Sequence, residues 1–207
     1  MSELQIVQGL VWPAHDTQCQ AVVFEETATI ARLLLHVTNF DACVQAGGNC
    51  GVWPSKLAVR FGTVYTFEPD HDNFVCLAHN CSHDANVIAL QAALGSGGEL
   101  PVTLEGDRTN CGAYQVAPGG AIPVLTIDSL NLPSCGMISL DIEGYEAKAL
   151  QGAQATLKRC RPVILLEMKG IGAKYGWPDE ELHFWLTEGF GYRQAETLLR
   201  DRIYVPV

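Results

Sequence analysis

From Asp41 onward, short apolar runs rich in strand-forming residues alternate with stretches in which apolar positions recur every three to four residues. A parallel sheet clothed by helices produces this alternation, because its strands are buried on both sides and its helices on one. Ala42–Ala46 (ACVQA) predicts the first core strand, and Pro54–Phe61 predicts a helix carrying Pro54, Leu57, Ala58 and Phe61 on one face. Thr63–Phe67 predicts the second strand. Asp70 is positioned to cap a helix with Phe74, Leu77, Ala78 and Cys81 along one side, and Asn86–Ala92 (NVIALQA) predicts a third strand.

Between Gly95 and Leu132 the rhythm breaks. Gly97-Gly98, Pro101, Pro118 and Gly119-Gly120 punctuate short extended pieces, as in an inserted hairpin. Alternation resumes with the strand Met137–Ile142, one helix over about Tyr145–Arg159, and the strand Pro162–Met168 (PVILLEM). Glu146, Ala149, Leu150, Ala153 and Leu157 recur at helical spacing, and Lys158 and Arg159 suit the helix's negative end. Pro178 suits the first turn of a helix containing Leu182, Trp185 and Leu186, which Gly189 can stop. Tyr192–Ala195 and Arg202–Val205 predict two closing strands, Ile30, Leu33, Leu34 and Val37 mark an early helix, and the segment through His15 reads as a cap. The expected organisation is one α/β domain over 1–207: cap and helix 1–40, a cofactor-binding core 41–169 with an insertion at about 95–132, and C-terminal helix and strands 170–207.

With 207 residues, 48% of them hydrophobic, the chain can bury one good core. Its 13 basic and 23 acidic residues leave a formal charge of −10, unlike a protein that displaces counterions from a phosphate backbone. Duplex nucleic acid is therefore not an expected partner. Cys19, Cys43, Cys50, Cys76, Cys81, Cys111, Cys135 and Cys160 are scattered with no C-x-x-C pair, which predicts reduced, mostly buried thiols. The opening MSELQIVQGLVWPAHD lacks a signal peptide's basic start and apolar core, and no apolar run approaches the roughly 20 residues needed to cross a bilayer. The expectation is a cytoplasmic protein with no membrane partner.

Candidate chemistry begins at Gln45–Gly51 (QAGGNCG), directly after the first strand and before a helix. Glycine permits a sharp turn and close approach to a ligand, and a helix N-terminus offers free N–H groups. Many α/β proteins carry such a turn for packing alone. Glu68 ends the second strand, about 20 residues downstream, where an acid reaches the hydroxyls of a ribose. Its competing role is to cap the helix after FEPD, and both roles predict an accessible carboxylate at the sheet's C-terminal edge. Strand, loop and acid suit a nicotinamide dinucleotide or S-adenosylmethionine. The loop reads GGNCG from Gly47, without the G-x-G-x-x-G that makes room beside a pyrophosphate, which disfavours an NAD-dependent oxidoreductase.

Three segments taken together, AGGNCG, FEPD and LDIEGYEAKALQGA at Leu140–Ala153, resemble the FkbM methyltransferases, whose signatures run G-A-N-x-G, F-E-P and D-x-E-G-x-E followed by an L-x-G-A helix. The likeness extends over most of Asp41–Lys169 and includes RPVILLEMK. It implies a Rossmann-like class I methyltransferase fold, a mostly parallel sheet with an antiparallel C-terminal strand and helices on both faces. It also implies S-adenosylmethionine as methyl donor, S-adenosylhomocysteine as product, and a hydroxyl acceptor on a sugar or other small molecule. Carried over by position, Gly47, Gly48, Asn49 and Gly51 would line the cofactor's methionine end, Glu68 would bind its ribose, Ala92 and Ala93 would flank its adenine, and Pro69 is a further cofactor-binding candidate. Gln45 departs from the family, which commonly has an acid there. An amide still accepts a hydrogen bond from the cofactor amine, without the charge attraction.

Asp141, Glu143 and Glu146 follow the fourth strand, beside the expected transfer site. Mutual repulsion in such a group can raise one pKa and leave a base for the acceptor's proton. Asp141 is the first candidate and also borders the cofactor; Glu143 is the second, and Glu146 suits the helix dipole. Glu167, ending the fifth strand, would orient the acceptor, join Asp141 on a metal, or pair with Lys169. A divalent metal is compatible with these acids but not indicated. His79 and His83 share helical spacing without a third ligand, and His15, Trp12 and Trp53-Pro54 read chiefly as packing groups. DIEG in place of N/D-P-P-Y argues against an amino-methyltransferase acting on nucleobases. A non-catalytic module on a degenerate methyltransferase fold is the alternative, and a homodimer is left open.

Overall fold

In the computed structural model, which describes residues 3–26 and 28–207, a hairpin of β1 (Leu4–Val7) and β2 (Leu10–Pro13) leads into α1 (Cys19–Glu26) and α2 (Ala28–Leu34). The predicted rhythm follows with β3 (Ala42–Ala46), α3 (Val52–Ala58), β4 (Thr63–Phe67), α4 (His71–Asn80) and β5 (Val87–Leu90). The insertion holds β6 (Ala93–Leu94), a hairpin of β7 (Val102–Glu105) and β8 (Gln115–Pro118), then β9 (Val124–Leu125) and a 3-10 turn, Ile127–Leu130. Next come β10 (Met137–Leu140), α5 (Glu146–Gln151), α6 (Gln154–Cys160) and β11 (Val163–Glu167). The chain closes with α7 (Asp179–Phe184), β12 (Tyr192–Leu198) and β13 (Asp201–Pro206).

Seven strands form the central sheet in the order β12-β13-β11-β10-β3-β4-β5. The run β11-β10-β3-β4-β5 is parallel; β13 lies antiparallel to β11, and β12 antiparallel to β13. Because β3 and β10 are neighbours while the chain winds away from them in opposite directions, a crevice opens at their C-terminal ends. Strand alternation separates two apolar layers. Val44, Ala46, Ile138, Leu140, Ile164 and Leu166 face α5, α6 and α7 through Leu150, Leu157 and Leu182. Cys43, Val64, Met137, Val163 and Leu165 face α2 and α3 through Ile30, Leu33 and Leu57. Helices thus cover both faces, as the alternation predicts.

Several boundaries differ from the sequence reading. The single helix expected over 145–159 is two, because Gly152 packs on the insertion so tightly that a Cβ there would lie 2.0 Å from the Gly95 carbonyl oxygen. Asp128 restarts the helix, accepting from Ala155 N at 2.9 Å and Thr156 N at 2.8 Å. On α4 the buried side is Asn73, Cys76 and Leu77, whereas Ala78 is exposed. That helix is turned toward the leading hairpin, where Asn80 exchanges 2.8 Å bonds with both N and O of Val11. The third strand stops at Leu90 because Ala93 leaves the sheet to pair with β9 of the insertion. All eight cysteines are free and six are buried. Among the described residues no helix is long and apolar enough to cross a membrane.

Candidate functional site

The glycine turn is built by close approach. Gly47 has φ 83°, and a Cβ on it would fall 2.0 Å from the Asp141 carbonyl oxygen, so glycine alone lets the tip of β3 pass beside that of β10. The N–H groups of Gly47 and Gly48 both donate to Phe67 O, at 3.2 and 2.9 Å. Asn49 N then donates to Glu68 Oε2 at 2.7 Å, and Glu68 Oε1 accepts from Asp70 N at 2.8 Å. Turn and acid are therefore directly joined across adjacent strand tips. The helix cap is Asp70, whose Oδ1 accepts from Asn73 N at 2.9 Å, and not Glu68. Glu68 is also not accessible as expected but only 5% exposed, since Cys111, Gly112 and Tyr114 of the insertion share the pocket with it. Burial pushes its carboxyl up to about 8 against the opposing pull of its two N–H donors.

Gly47, Asn49, Glu68, Pro69, Ala92, Ala93, Asp141 and Glu143 line one pocket, closed from above by Leu104, Cys111, Gly112, Tyr114 and Val116 of the insertion and by Tyr145. Gln45, Gly48, Gly51 and Glu167 are not in its wall. Strand alternation turns Gln45 to the face covered by α2 and α3, where Oε1 accepts from Thr66 Oγ1 at 2.6 Å and Nε2 donates to Gly47 O at 2.8 Å. The contact expected between Gln45 and a cofactor amine is thus replaced by bonds that brace the turn. Gly48 packs against Leu77 and Thr66, and Gly51, with φ 89°, starts α3 against Leu77 and Cys81. The donor set suits a nucleoside, with a carboxylate anchored at one end and small apolar walls at Ala92 and Ala93. The free space in this partly open pocket is small, about 50 Å³, and outward movement of the insertion would widen it.

Where Asp141 and Glu143 line the pocket, their oxygens and one of Glu167 converge to within 4.8 Å of one another. Lys169 Nζ joins them, 2.9 Å from Glu143 Oε1 and 2.7 Å from Glu167 Oε2. Asp141 is accessible through the cleft mouth, yet protein surrounds it on its other sides. That burial, the neighbouring Glu167 charge, its hydrogen bond to Glu167 and the Glu143 charge push the Asp141 carboxyl well above the ordinary range. Burial opposes the Lys169 charge, but hydrogen bonds to Glu167 and Glu143 outweigh it and raise the ammonium's pKa. The cluster thus sets three carboxyl groups beside a fixed cation. Glu146 builds the preceding loop instead of merely facing the helix dipole: its Oε1 accepts from Ile142 N at 3.0 Å and Gly144 N at 3.2 Å. Burial pushes it up to about 7.

The remaining candidates lie elsewhere. His79 and His83 are exposed on and beyond the end of α4. Trp12 is fully buried and donates Nε1 to Asp16 Oδ2 at 2.7 Å, so it presents nothing to a ligand. His15 lies with Nδ1 3.5 Å from Arg108, and Trp53 packs between two apolar clusters. Sequence reasoning missed Cys111, Tyr114 and Tyr145 in the pocket wall. The glycine and proline punctuation of the insertion was the available signal, but it does not say which hairpin residues fold over the crevice.

A family model described as the methyltransferase FkbM domain matches residues 45–194. The chain belongs to the FkbM methyltransferase family. It is 27% identical over 154 residues to the hexuronic acid methyltransferase AglP of Haloferax volcanii, an alignment covering 70% of this chain and 64% of that protein. Among solved structures it resembles an FkbM methyltransferase from Methylobacillus flagellatus, with TM-score 0.55 and 18% identity over 80% of this chain and 43% of that one. An rRNA methylase from Streptococcus thermophilus gives TM-score 0.51 and 12% identity, covering 87% and 95%. The fold is the Rossmann-like class I methyltransferase fold. The chain spans less than two thirds of the length of the curated relative and less than half of the FkbM structure.

Proposed function

We propose that this FkbM-family chain is an S-adenosylmethionine-dependent O-methyltransferase acting on a hydroxyl of a sugar or other small molecule. One juxtaposition carries the reading. Glu68, held by Asn49 N, lines one pocket with Asp141 and Glu143, whose carboxyl oxygens converge with that of Glu167, itself paired to Lys169. A group able to hold a ribose thus stands beside one able to take a proton. Family membership supports the transfer of a methyl group, and the hexuronic acid methyltransferase activity of the Haloferax relative supports a sugar acid among the acceptors to be tried.

When bound, the cofactor supplies a methyl group activated by a sulfonium centre. Glu68 accepts hydrogen bonds from the ribose hydroxyls, Ala92 and Ala93 flank the adenine, and Gly47 and Asn49 border the methionine end. Asp141 receives the acceptor hydroxyl's proton; burial and the neighbouring acids raise its affinity for a proton. Lys169 offsets the charge left on these acids. Gly47 keeps the strand tips close enough to aim the acceptor, and the insertion excludes water.

Calorimetry with S-adenosylmethionine, S-adenosylhomocysteine and NAD, followed by a labelled-methyl screen over sugars that includes hexuronic acids, tests the proposal. The expected result is binding of both sulfur nucleosides but not NAD, with label recovered on an acceptor oxygen. Binding of none would leave a non-catalytic module, and binding of NAD alone an oxidoreductase.

A further inference from the structure

Four cysteines distant in sequence meet beside the pocket. Cys19 begins α1, Cys50 sits in the glycine turn, Cys76 lies on α4 and Cys111 lies in the insertion. The sulfurs of Cys19 and Cys111 and a carboxylate oxygen of Asp16 all lie within 4.8 Å of one another. The Cys50 thiol packs with Cys76 and Cys111 in the same apolar cluster.

Asp16 sets the geometry of the outer pair. Its Oδ1 accepts from Cys19 N and from Cys111 N, each at 3.1 Å, so the two backbone nitrogens are separated by no more than twice that distance. Its Oδ2 accepts from Trp12 Nε1 at 2.7 Å and Gln20 N at 2.9 Å. With both oxygens so engaged, the carboxylate is a poor metal ligand. A disulfide needs Cα atoms about 4.4–6.8 Å apart and an S–S bond of about 2.05 Å. Asp16 holds the two backbones beside each other, and the two sulfurs already lie within 4.8 Å.

The pair is wired to the pocket. Asn49 Nδ2 donates to Cys19 Sγ at 3.4 Å and Cys111 Sγ at 3.7 Å, while Asn49 N holds Glu68. Cys111 lines the pocket, and Cys19 is half-buried on its outer side. Neighbouring thiols and the Asn49 amide lower the Cys111 thiol's pKa against its burial, favouring the thiolate, the nucleophilic form.

We propose that Cys19 and Cys111 form a reversible dithiol–disulfide site through which a hydroperoxide shuts the pocket; the effect on the pocket rests on the cofactor reading above. The Cys111 thiolate attacks one peroxide oxygen, forming an S–O bond as the O–O bond breaks, and the departing oxygen takes a proton. The Cys19 thiol then attacks the Cys111 sulfur: S–S forms, S–O breaks, and the displaced hydroxide takes the Cys19 proton. With hydrogen peroxide, two thiols and one peroxide yield one disulfide and two waters; a dithiol reductant reverses the change. The cross-link ties α1 to the insertion. Since residues of the insertion form one wall of the pocket, fastening the insertion to α1 restrains the movement that widens the pocket for a nucleoside. It also removes the thiol acceptors of Asn49 and so disturbs the turn that holds Glu68.

The test oxidises the reduced full chain with hydrogen peroxide, alkylates the remaining thiols and maps peptides by mass. Calorimetry with S-adenosylhomocysteine is run before oxidation, after it, and after dithiothreitol. The expected result is a Cys19–Cys111 link with loss of two hydrogens, at least a tenfold fall in affinity, and recovery on reduction. Cys19→Ser should bind the nucleoside when reduced and form no such link. Free Cys19 and Cys111 after excess peroxide, or a link from Cys111 to Cys50 instead, would overturn the dithiol site. A correct link with unchanged affinity would overturn the gating. If the reduced protein bound no nucleoside, the cofactor reading would fail, while the map would still decide the pair.

Discussion

Glu68 works under opposing demands: burial favours its protonated form, whereas both of its oxygens accept N–H bonds and, in the proposed complex, ribose hydroxyls. Ligand hydroxyls stabilise the carboxylate, so binding lowers a pKa that stands near 8 in the free protein. Affinity for S-adenosylhomocysteine should therefore rise from pH 6 toward pH 8 and level off above it, by at most about tenfold per pH unit. A flat calorimetric profile would remove Glu68 from the ribose site. Asp141→Asn should cut turnover about 100-fold or more, as expected for loss of a general base, while changing nucleoside affinity less than about threefold. Equal loss in both would make Asp141 a binding group only. At Gly47 the constraint is steric. Gly47→Ala must place a Cβ 2.0 Å from the Asp141 oxygen at φ 83°, and should abolish nucleoside binding even where circular dichroism shows a folded chain.

At the scale of elements, the split between α5 and α6 shows where local periodicity stops being informative. Ala149, Leu150, Ala153 and Leu157 keep a helical stripe through Gly152, yet the Gly95 oxygen of the insertion lies where a continuing helix would need room. Asp128 makes the restart possible by accepting from Ala155 N, Thr156 N and Thr156 Oγ1. Asp128→Ala should lower stability by about 1–2 kcal/mol, the usual worth of a helix cap, seen as a smaller denaturant midpoint with unchanged slope. If stability is unchanged, the cap has no energetic weight. The α4 boundaries agree with the sequence because Asp70 caps its own helix locally. Its buried face does not, since the leading hairpin that covers Cys76 and the insertion whose Cys111 O accepts from Asn73 Nδ2 join it from far along the chain.

For the whole molecule, buried acids govern how stability varies with pH. Glu146 stands near 7 in the folded state against an ordinary value of 4.5. Between those values the folded chain retains a proton that the unfolded chain has lost. Its stabilising effect is therefore complete below about 4.5 and is lost as pH rises through 7, amounting to about 3 kcal/mol. Glu68 extends the same trend to about 8. Thermal unfolding should accordingly occur at lower temperature at pH 8.5 than at pH 5.5, and Glu146→Gln, which keeps an acceptor for Ile142 N and Gly144 N, should flatten the difference. An identical slope in that variant would assign the pH dependence to other groups.

What the sequence by itself determined is whatever follows from neighbours on the chain. Strand and helix periodicity, the Asp70 cap, the glycine turn and the acid ending the next strand are local patterns, and parallel strands align their tips on one edge, bringing Asn49 to Glu68. Tertiary structure alone decided which face Gln45 takes, the burial of Glu68, the break at Gly152 and the meeting of Cys19 with Cys111. Each depends on how the leading hairpin and the insertion dock over the crevice. Docking sums many weak contacts between segments far apart in sequence, and no spacing along the chain encodes that sum.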